Sequence, residues 1–419
     1  MKVLLIGSGG REHSIALKLS QSPRLTQLYI APGNPGTEQV GINVPIGETQ
    51  IDELIQFAKK EKIDLTFVGP EGPLAAGIVD RFQAEKLAIV GPDLKGAQLE
   101  SSKKWAKEIM IKNHIPTAAY QAFTDLDSAL GYLRHFPVVI KADGLAAGKG
   151  VTIALSFDEA RQALEDCFLN SKFGQAGNQV VIEEFLTGDE ASILAFTDGK
   201  TILAMAPAQD HKAIFDGDKG PNTGGMGSYC PAPLVTPALE KEVLETVFKP
   251  LLKGLQQEGI TYKGIIYAGL MICKGKPYVI EFNARFGDPE TQVVLPQLKT
   301  DLLDIFVAMN EGKLDQIRLE WADTTTVCVV LASKGYPGEF EKGKIIRGLH
   351  PGVIHAGTLR QAQGTVVTNG GRVLGVIGQD KEMGKAIEKA YQEAEKIQFE
   401  GKYFRTDIGK RRGKYGSSE

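Results

Sequence analysis

The chain has 419 residues, of which 42% are hydrophobic and 24% are charged, and its formal net charge is −3. A chain of this length exceeds the size of one ordinary hydrophobic core and predicts two to three domains. The nearly balanced charge argues against nucleic acid or an anionic membrane surface as the main partner, so we expect small-molecule ligands.

The four cysteines argue against two further classes of protein. Cys167, Cys230, Cys273 and Cys328 are scattered without a CxxC pair, so neither a disulfide framework nor a zinc site is predicted, and a reducing cytosol fits this usage. The first apolar run ends at Gly7, which makes it too short for a secretion signal, and the sequence has no apolar stretch long enough to span a bilayer. We therefore expect a soluble cytoplasmic protein.

The first 100 residues alternate short apolar runs with helical patterns. The apolar runs are 3–6, 28–31, 65–68 and 88–90, and the helical patterns are centred on 15–19 and 54–57. This alternation predicts an N-terminal α/β domain, residues 1–100, in which helices cover both faces of a parallel sheet.

Three of these strands lead into glycine-rich turns. The turns are GSGGREH from Gly7, APGNPGT from Ala31 and GPEGPL from Gly69. Ligands bind at the carboxyl ends of the strands in such sheets, so a phosphate or sugar site is expected there.

The first turn invites comparison with dinucleotide-binding proteins. A strict GxGxxG starting at Gly7 needs glycine where Glu12 stands, which weakens the interpretation as a nicotinamide dehydrogenase. What is left is a strand, a turn and a helix start, whose free N–H groups can hold an anion such as a sugar phosphate. The alternative is a tight turn that needs only backbone freedom.

A second domain is predicted to begin near residue 101 with one long amphipathic helix. This helix starts after Gly96, carries Lys103, Lys104 and Trp105, and runs to about residue 114. The proline at position 116 is expected to end it.

The segment PVVIKADGLAAGKGVTIAL predicts a hairpin with a glycine-rich flap. Its first strand ends at Lys141, and its loop contains Gly144, Gly148 and Gly150. A P-loop is excluded because Gly150 follows Lys149 where Ser or Thr is required. Backbone amides of such a flap can cover nucleotide phosphates while Lys141 meets them from below. The alternative is a hairpin that is only a mobile loop.

Two further segments carry candidate nucleotide ligands. The predicted strand 179–196 contains Glu183, Glu184 and Glu190, which either hold ribose hydroxyls and an adenine amino group or simply face solvent. The segment 208–233 is the densest in Gly, Pro, Asp and Asn, and it is predicted to be a long ordered loop, which favours a function. Its candidate ligand contacts are Asp210, Lys212, Asn222 and Thr223.

A helix at 238–257 and a hairpin are predicted next, and the second strand of the hairpin leads into VIEFNARFGDPETQ. Strand alternation places Glu281, Asn283 and Arg285 on one face. Glu281 and Asn283 offer the hard oxygen ligands that Mg²⁺ takes while it bridges nucleotide phosphates, and Arg285 adds donors for phosphoryl charge. The alternative is a half-buried strand whose polar face is only hydrated.

The composition changes again at about Thr324, where a C-terminal domain, residues 324–419, is predicted to begin. TTTVCVVLAS is predicted to be a buried strand, further strands are expected near Val353, Val366 and Val373, and a closing helix is expected at 382–397. The last nine residues, RRGKYGSSE, are predicted to be a solvated tail and not a nucleic-acid patch.

The ordered set of motifs resembles one family along nearly the whole chain. The motifs are GSGGREH, APGNPGT, VGPEGPLAAGIVD, KADGLAAGKGV, DGDKGPNTGGMG, EFNARFGDPETQ and RTDIG. The flap, the acidic strand, the DHK loop and the Glu281 strand, in this order, resemble the ATP-grasp superfamily. More closely, the chain resembles the glycinamide ribonucleotide synthetase family of purine biosynthesis, for which RFGDPETQ and GPNTGGMG are very specific.

The resemblance implies a multidomain α/β and α+β fold. It has an N-terminal parallel α/β domain, an ATP-grasp core at 101–323 with a flap subdomain at about 120–190, and a C-terminal mixed β/α domain. It implies an enzyme that uses ATP and Mg²⁺ or Mn²⁺ to convert glycine to glycyl phosphate, which the amine of 5-phosphoribosylamine attacks. The implied products are glycinamide ribonucleotide, ADP and phosphate, and a monomer is expected.

The resemblance also implies roles for individual residues. The expected catalytic residues are Lys141 and Arg285, and the expected metal ligands are Glu281 and Asn283. The expected ATP contacts are Lys103, Lys141, Gly144, Gly148, Lys149, Gly150, the hinge residues Glu183, Glu184, Phe185 and Leu186, and also Glu190, Lys212 and Asn222. The expected substrate contacts are Gly9, Gly10, Asn34, Pro35, Glu71, Asp210, Thr223, Gly224 and Asp288.

Two positions depart from the family pattern. Ala213 stands where the family usually has Arg after the DHK tripeptide, which removes a guanidinium near the nucleotide, and we expect another cation or a water to fill the gap. Met271 stands where many ATP-grasp relatives place an acidic metal ligand, so the metal shell is expected to depend on water and phosphate oxygens.

Three other functions are compatible with parts of the sequence. One is an ATP-grasp ligase or carboxylase that uses a different acid, such as bicarbonate or another amino acid. A nicotinamide dehydrogenase is argued against by Glu12 in the glycine turn. A nucleotide sensor without turnover is argued against by the intact Lys141, Glu281, Asn283 and Arg285, because a sensor need not retain a transfer site.

Overall fold

A parallel sheet forms the first part of the chain in the computed structural model, which describes residues 1–146 and 150–410. Its elements are β1 Lys2–Gly7, α1 Gly10–Leu19, β2 Gln27–Pro32, β3 Ile42–Asn43, α2 Ile51–Glu61, β4 Leu65–Val68, α3 Glu71–Ala75, α4 Ile78–Ala84 and β5 Ile89–Val90. The strand order is β3-β2-β1-β4-β5, and the four neighbouring pairs in this order are all parallel. β1 and β4 form this way because both are continuous apolar runs that become buried. The predicted parallel α/β architecture is confirmed.

A second, antiparallel sheet carries the predicted flap hairpin. Its region contains α5 Gln98–Ser101, α6 Lys103–Lys112, β6 Tyr120–Phe123, α7 Leu126–Tyr132, β7 Val138–Ala142, β8 Val151–Ala154, α8 Phe157–Phe168 and β9 Val180–Glu184. The strand order is β6-β9-β7-β8, and β7 pairs with β8 so that Lys141 lies opposite Val151. The hairpin is therefore confirmed. Two of the predicted flap residues, Gly148 and Lys149, and the tail at 411–419 lie outside the described residues.

The prediction of one long helix after Gly96 is wrong, because two helices form there. α5 ends at Ser101, and α6 begins after Ser102, whose backbone is extended at φ −134° and ψ 106°. The hydroxyl of Ser102 accepts a hydrogen bond from the backbone N–H of Trp105 and so caps α6.

A third sheet forms the centre of the molecule. The elements from here to the C-terminal region are β10 Asp189–Thr197, β11 Ile202–Ala204, β12 Gln209–Asp210, β13 Ala213–Phe215, β14 Lys219–Asn222, β15 Gly227–Cys230, α9 Pro237–Val243, α10 Lys249–Gln257, β16 Gly264–Cys273, β17 Lys276–Asn283, α11 Thr291–Val294 and α12 Leu302–Glu311. The order in this central sheet is β11-β10-β16-β17, and the predicted hairpin is the antiparallel pair β16 and β17. A π-helical turn joins α9 to α10, which confirms the helix predicted at 238–257.

Two predictions for the middle of the chain are wrong. The single strand predicted at 179–196 is two strands, β9 in the flap sheet and β10 in the central sheet, and the chain changes sheets at 185–188. The segment 208–233 is not a loop throughout, because it contains the four short strands β12 to β15. Its Gly- and Pro-rich composition hides these strands because each is only two to four residues long.

The C-terminal region adds a mixed layer of strands and one long helix. Its elements are β18 Thr325–Ser333, β19 Ile354–His355, β20 Thr358–Arg360, β21 Val366–Thr368, β22 Arg372–Asp380, α13 Met383–Lys396 and β23 Lys402–Tyr403. The predicted strands and the closing helix are confirmed. The sheet order β12-β15-β18-β22-β19 joins this region to the preceding one. Among the residues that the structure describes, no helix is both long enough and apolar enough to cross a membrane.

One hydrophobic cluster joins the parts of the chain. It includes Leu5 of β1, Phe67 of β4, Phe306 of α12 and Cys328 of β18. The rings of Phe67 and Phe306 are stacked with their centroids 4.1 Å apart. The domain boundaries expected after residues 100 and 323 divide this shared core, and they stay a prediction.

A pair of buried histidines lies where α1 meets the C-terminal region. The backbone N–H of His355 donates to Nδ1 of His13 over 2.9 Å, and both side chains are about 2% exposed. Burial, followed by the neighbouring His355, lowers the pKa of His13 to about 3. Burial and Arg360 lower the pKa of His355 to about 4. Both rings are therefore neutral at pH 7.

We expect acid to destabilise this junction in a defined window. The unfolded chain binds more protons than the folded chain between a pH of about 3 and 6.5, so stability is full above 6.5 and falls as the pH is lowered. The free energy of unfolding should be about 2–4 kcal/mol lower at pH 5 than at pH 7. His13→Asn, which keeps an acceptor for His355, should flatten the pH dependence measured by denaturant unfolding. The control His114→Asn, at an exposed position, should leave the pH dependence of the free energy of unfolding unchanged. The same pH dependence in both variants would show that the buried histidine pair is not its source.

Candidate active site

A buried carboxylate on the flap sheet is held between two lysines. Glu183 of β9 is 2.9 Å from the Nζ of Lys107 and 2.8 Å from the Nζ of Lys141. All three side chains are less than a tenth exposed. Burial lowers the pKa of Lys107 to about 8, although Glu183 opposes this shift. Two cations facing one carboxylate leave a net positive charge, which suits a phosphate.

This Glu183 cluster, Lys107, Lys141 and Glu183, ties the flap sheet to the central sheet. Lys141 donates to the carbonyl oxygen of Ile280 on β17 over 2.8 Å. Lys107 donates to the hydroxyl of Thr117 over 2.7 Å, and this hydroxyl donates to the carbonyl of residue 279 on the same strand. Both lysines therefore link the flap sheet to β17.

A second charged group, the Glu281 cluster, is formed by Glu190, Lys212, Glu281 and Asn283. The Nζ of Lys212 lies 3.2 Å from Glu190 and 3.9 Å from Glu281. The side-chain amide of Asn283 donates to Glu281 over 3.4 Å. The predicted ribose contact, phosphate contact and metal ligands are thus brought together across β10 and β17.

The charge state of Glu281 follows from its surroundings. Burial alone would raise its pKa, but Lys212, Lys141 and Lys103 together hold the pKa of Glu281 below its usual value. Burial opposes the charge of Lys212, yet Glu190 and the other acidic neighbours hold its pKa well above the usual value. The site therefore has an ionised carboxylate among several ammonium groups.

Lys103 lies at the first turn of α6 and reaches the flap. Its Nζ donates to the carbonyl oxygen of Gly144 over 2.9 Å. Burial lowers the pKa of Lys103, while Glu281 acts in the opposite direction. Gly144, with φ +149°, lies in the first part of the flap loop, and Gly150 lies in the last part.

An apolar surface adjoins Lys141 on the flap sheet. Val139 pairs with Ile153, and Lys141 pairs with Val151, so the alternation places all four side chains on one face. Ile153 is 45% exposed although it is a large aliphatic residue. The same face therefore offers an apolar surface beside Lys141, a lysine expected to contact phosphate.

The hinge residues lie between the two sheets. Glu184 ends β9 and is exposed, and Phe185 and Leu186 are partly exposed in the linker to β10. The carboxylate of Glu183 is only 3% exposed and is engaged by the lysines. An adenine contact at Glu183, which the resemblance implies, would therefore involve its main chain.

Arg285 lies beyond the end of β17 and contacts two carboxylates. Its Nε is 3.1 Å from Glu71, and its Nη2 is 2.9 Å from Glu100. Burial alone would raise the pKa of Glu71, but Arg285 and Arg11 lower it to about 2. Glu281, Asn283 and Arg285 were expected on one face of the strand. Glu281 and Asn283 lie on β17, whereas Arg285 lies beyond its end and links Glu71 of the N-terminal sheet region to Glu100 of α5. A phosphoryl group at Arg285 would have to replace one of these carboxylates.

The predicted glycine-binding residues meet around an arginine from the C-terminal region. Arg372 donates to the carbonyl oxygens of Gly224 over 2.6 Å and Asp288 over 2.7 Å, and to the Asp288 carboxylate over 3.0 Å. The other carboxylate oxygen of Asp288 accepts from Gln292 over 2.6 Å. The backbone N–H of Gly224 donates to the hydroxyl of Tyr336.

The turn that contains Gly224 has little space for side chains. Gly225 has φ +116°, and a Cβ there would lie 2.4 Å from Cδ of Pro289. Thr223 stabilises the turn, because its hydroxyl donates to the carbonyl of Lys212 and accepts from the N–H of Gly225. The turn is therefore fixed next to Lys212.

The other two contacts predicted in this segment differ in burial. Asp210 is buried in β12, where it pairs with Ser228 of β15. Asn222 is exposed at the end of β14, opposite Ala213.

The glycine turn of the first domain already holds an anionic side chain. The carboxylate of Glu12 accepts from the N–H of Gly9 over 2.7 Å and pairs with Arg11. Gly7 has φ +126°, and a Cβ there would lie 2.4 Å from Cγ of Glu12. The N–H that was expected to be free at Gly9 is thus occupied. This carboxylate also opposes a dinucleotide phosphate at the turn.

The neighbouring substrate candidates are mainly buried. Asn34 donates to the carbonyls of Ser8 and His355 and accepts from two backbone N–H groups of its own loop. Gly10 packs against Gln292, and Pro35 is buried. Only Glu71, with a third of its side chain exposed, presents a charge at this edge.

Several residues of the site were missed by reasoning from the sequence. They are Lys107, Glu100, Arg372 and Arg405. Lys107 had a usable signal, because it follows Lys103 by four residues on α6 and therefore shares its face. The other three contact their partners only through the tertiary fold.

Comparisons with known proteins match this chain to one family. Models described as the N domain, the ATP-grasp (A) domain and the C domain of phosphoribosylglycinamide synthetase match residues 1–100, 101–291 and 326–411. A phosphoribosylamine–glycine ligase of Caldanaerobacter subterraneus subsp. tengcongensis is 51% identical over 414 residues, covering 97% of this chain and 99% of that protein. One of Neisseria meningitidis serogroup B is 51% identical over 416 residues, covering 97% and 98%.

A solved structure gives the same match. The crystal structure of phosphoribosylamine–glycine ligase from Thermotoga maritima aligns with a TM-score of 0.86 at 35% identity, and the alignment covers 97% of this chain and 100% of that one.

We expect Lys107→Met to weaken nucleotide binding about tenfold, because the Glu183 cluster loses its excess positive charge in a buried setting. Lys104→Met is the matched control, since Lys104 lies on the same helix but is 41% exposed and pairs with the exposed Glu108. Titration calorimetry with MgADP measures both affinities. Equal affinities for the two variants would remove Lys107 from the site.

Proposed function

Because this chain belongs to the phosphoribosylglycinamide synthetase family, we propose that it ligates glycine to 5-phosphoribosylamine with ATP. The products are glycinamide ribonucleotide, ADP and phosphate, as in de novo purine biosynthesis. The observation that carries this proposal is the Glu281 carboxylate, which is held ionised by Lys212, Lys141 and Lys103 where two sheets meet. This arrangement suits a metal-bound triphosphate.

ATP is proposed to lie between the flap sheet and the central sheet. Lys103 and Lys141 contact its phosphates, and Gly144, Gly148, Lys149 and Gly150 of the flap are proposed to contact the nucleotide as well. The adenine lies on the apolar face near Ile153 and meets the main chain at Glu183 to Leu186. Glu190 contacts the ribose, and Lys212 and Asn222 complete the nucleotide contacts. The support is the convergence of the lysines on Glu281 and the exposed apolar surface beside them.

We propose that Glu281 and Asn283 hold Mg²⁺ or Mn²⁺. Among residues 1–146 and 150–410, no group of three or more His, Cys, Asp or Glu is arranged to hold a metal. One carboxylate and one amide nevertheless fit an ion that takes its other ligands from phosphate and water. When bound, the metal would neutralise charge on the phosphates.

The first chemical step is the activation of glycine. A carboxylate oxygen of glycine attacks the terminal phosphorus of ATP, the bond from this phosphorus to the bridging oxygen breaks, and ADP leaves. The transfer requires charge neutralisation and no protein nucleophile. Lys141 and Arg285 are proposed to supply it, with Arg285 exchanging a carboxylate partner for the phosphoryl group.

The second step forms the product. The amine of 5-phosphoribosylamine attacks the carbonyl carbon of glycyl phosphate, and the new C–N bond replaces the C–O bond to phosphate. Phosphate leaves with the electron pair, and the nitrogen releases a proton. Arg285 contacts Glu71 of the first domain, which supports a meeting of the two substrates at this boundary.

The substrate sites are proposed on either side of Arg285. The amino sugar lies at the edge formed by Gly9, Gly10, Asn34, Pro35 and Glu71, where Asn34 positions the loops and a phosphate at Gly9 requires Glu12 to move. Glycine lies near Asp210, Thr223, Gly224 and Asp288. The contacts of Arg372 with Gly224 and Asp288 support this second site.

The surroundings of the enzyme are also part of the proposal. We infer a cytoplasmic monomer that acts on small molecules and has neither a nucleic acid nor a membrane as partner. The net charge of −3 and the scattered cysteines support this inference.

The reaction is tested by ADP release with Mg²⁺, ATP, glycine and 5-phosphoribosylamine, the last formed in situ from ribose 5-phosphate and ammonia. We expect rapid release only when both glycine and the amino sugar are present. Release that continues without the amino sugar, or that needs bicarbonate or another amino acid, would overturn the named substrates.

We expect Glu281→Gln to lower kcat at least about a hundredfold while the fold is retained, because the metal loses its charged ligand. The metal concentration for half-maximal activity should rise in the same variant. Glu108→Gln, at an exposed position on α6, is the control and should behave like the wild type. Unchanged turnover of Glu281→Gln would remove this carboxylate from the metal site.

A further inference from the structure

Residues 403–409, the C-terminal clasp, hold a hairpin that lies almost 200 positions earlier. This Lys212 hairpin, residues 211–223, contains β13 and β14. The hydroxyl of Tyr403 donates to the carbonyl of Ile214 over 2.9 Å. The backbone N–H of Thr406 donates to Asp216 over 2.9 Å, and the N–H of Gly217 donates to the Asp407 carboxylate over 2.8 Å.

Arg405 is the central residue of the clasp. Its side chain is completely buried, and its guanidinium lies 3.0 Å from Asp218 and 2.6 Å from Asp407. Its Nη1 also donates to the carbonyl oxygen of Ala213 over 2.9 Å. A planar fork with several donors can make these contacts at once, whereas an ammonium group cannot.

The hairpin has little hydrophobic packing of its own. All four residues of β14 are exposed, and Phe215 is 52% exposed. Ile214 is buried, and it is the residue whose carbonyl accepts from Tyr403. Ile214 packs in a core cluster of the C-terminal region, and the rings of Phe215 and Tyr403 lie 6.2 Å apart. The polar contacts of the clasp therefore add to limited apolar packing in holding the hairpin.

The contact with Ala213 is adjacent to the nucleotide site. Ala213 follows Lys212, whose Nζ reaches Glu190 and Glu281. The carbonyl of Lys212 also accepts from the N–H of Thr223 over 2.8 Å. A shift of the hairpin at Ala213 would thus move the ammonium group relative to Glu281.

The contact between Arg405 and Ala213 also concerns the position at which the family usually has an arginine. A cation was expected near Ala213, and Arg405 supplies one, but from the opposite end of the chain. Because Asp218 and Asp407 pair with it, Arg405 offers no free charge to a phosphate. Its contribution is the placement of the backbone at Ala213.

We propose that Arg405 is a positioning residue for nucleotide binding, which acts by fixing the Lys212 hairpin so that Lys212 meets Glu190 and Glu281. The proposal rests on the proposed function, because Lys212 is taken there to contact ATP. Arg405 belongs to the RTDIG segment, so this segment of the C-terminal region would contribute to nucleotide binding by placing Lys212.

A double-mutant cycle on the full chain tests this proposal with Arg405→Lys, Lys212→Met and the double variant. Titration calorimetry measures the Kd for MgADP, and kinetics measure the KM for ATP and for 5-phosphoribosylamine. We expect Arg405→Lys to raise the Kd and the KM for ATP about tenfold and to leave the KM for the amino sugar within about twofold. On the Lys212→Met background, Arg405→Lys should add less than about a further twofold.

Additive effects of the two substitutions, or equal losses for ATP and the amino sugar, would overturn the proposal and leave Arg405 a purely structural role. A silent Lys212→Met would overturn it too, but that result would locate the failure in the role proposed for Lys212. Absence of ADP release from the wild type in the complete assay would instead indicate failure of the proposed reaction.

Two further variants keep the test decisive if Arg405→Lys does not fold. Tyr403→Phe removes only the hydroxyl that donates to Ile214. It should raise the Kd for MgADP about threefold in the wild-type background, and this effect should disappear on the Lys212→Met background. Arg360→Lys is the matched control, because Arg360 lies in the same region but forms a surface pair with Glu38. A Tyr403→Phe variant with the affinity of this control would contradict the proposal.

Discussion

A buried carboxylate between two lysines is the contact on which the arrangement of the active site depends. Burial of the Glu183 carboxylate is compensated by its ion pairs with Lys107 and Lys141. Lys141 in turn donates to the carbonyl of Ile280, one residue before Glu281. The ion pair therefore sets the distance between the flap sheet and the strand that carries the proposed metal ligands. Its excess positive charge supports the phosphate contacts proposed for these lysines.

The C-terminal region completes a site whose main residues come from earlier in the chain. Arg372 contacts Gly224 and Asp288, and Arg405 contacts Ala213 beside Lys212. A sheet shared by β12, β15 and β18 makes these contacts possible. Each arginine binds backbone carbonyls as well as carboxylates, so each orders a polar loop that has few apolar contacts of its own.

Segments with a regular apolar period could be predicted from the sequence, and contacts across long separations could not. β1, the β7–β8 hairpin and α13 follow their patterns. The break at Ser102 was missed because one capping hydroxyl ends a helix without changing its apolar period. The shared face of Glu281 and Asn283, the proposed metal ligands, was expected from strand alternation, but the pairing of Arg285 with Glu71 depends on how distant segments of the chain pack. The same holds for Arg405, whose partners precede it by almost 200 residues.

The formation of glycyl phosphate is tested most directly by following an oxygen atom from glycine to phosphate. Glycine labelled with ¹⁸O in its carboxylate is incubated with the enzyme, Mg²⁺, ATP and 5-phosphoribosylamine, and the released phosphate is analysed by mass spectrometry. Formation of glycyl phosphate predicts that one labelled oxygen appears in each phosphate released. Unlabelled phosphate with full product formation would show that the carboxylate is never phosphorylated, and it would contradict the account.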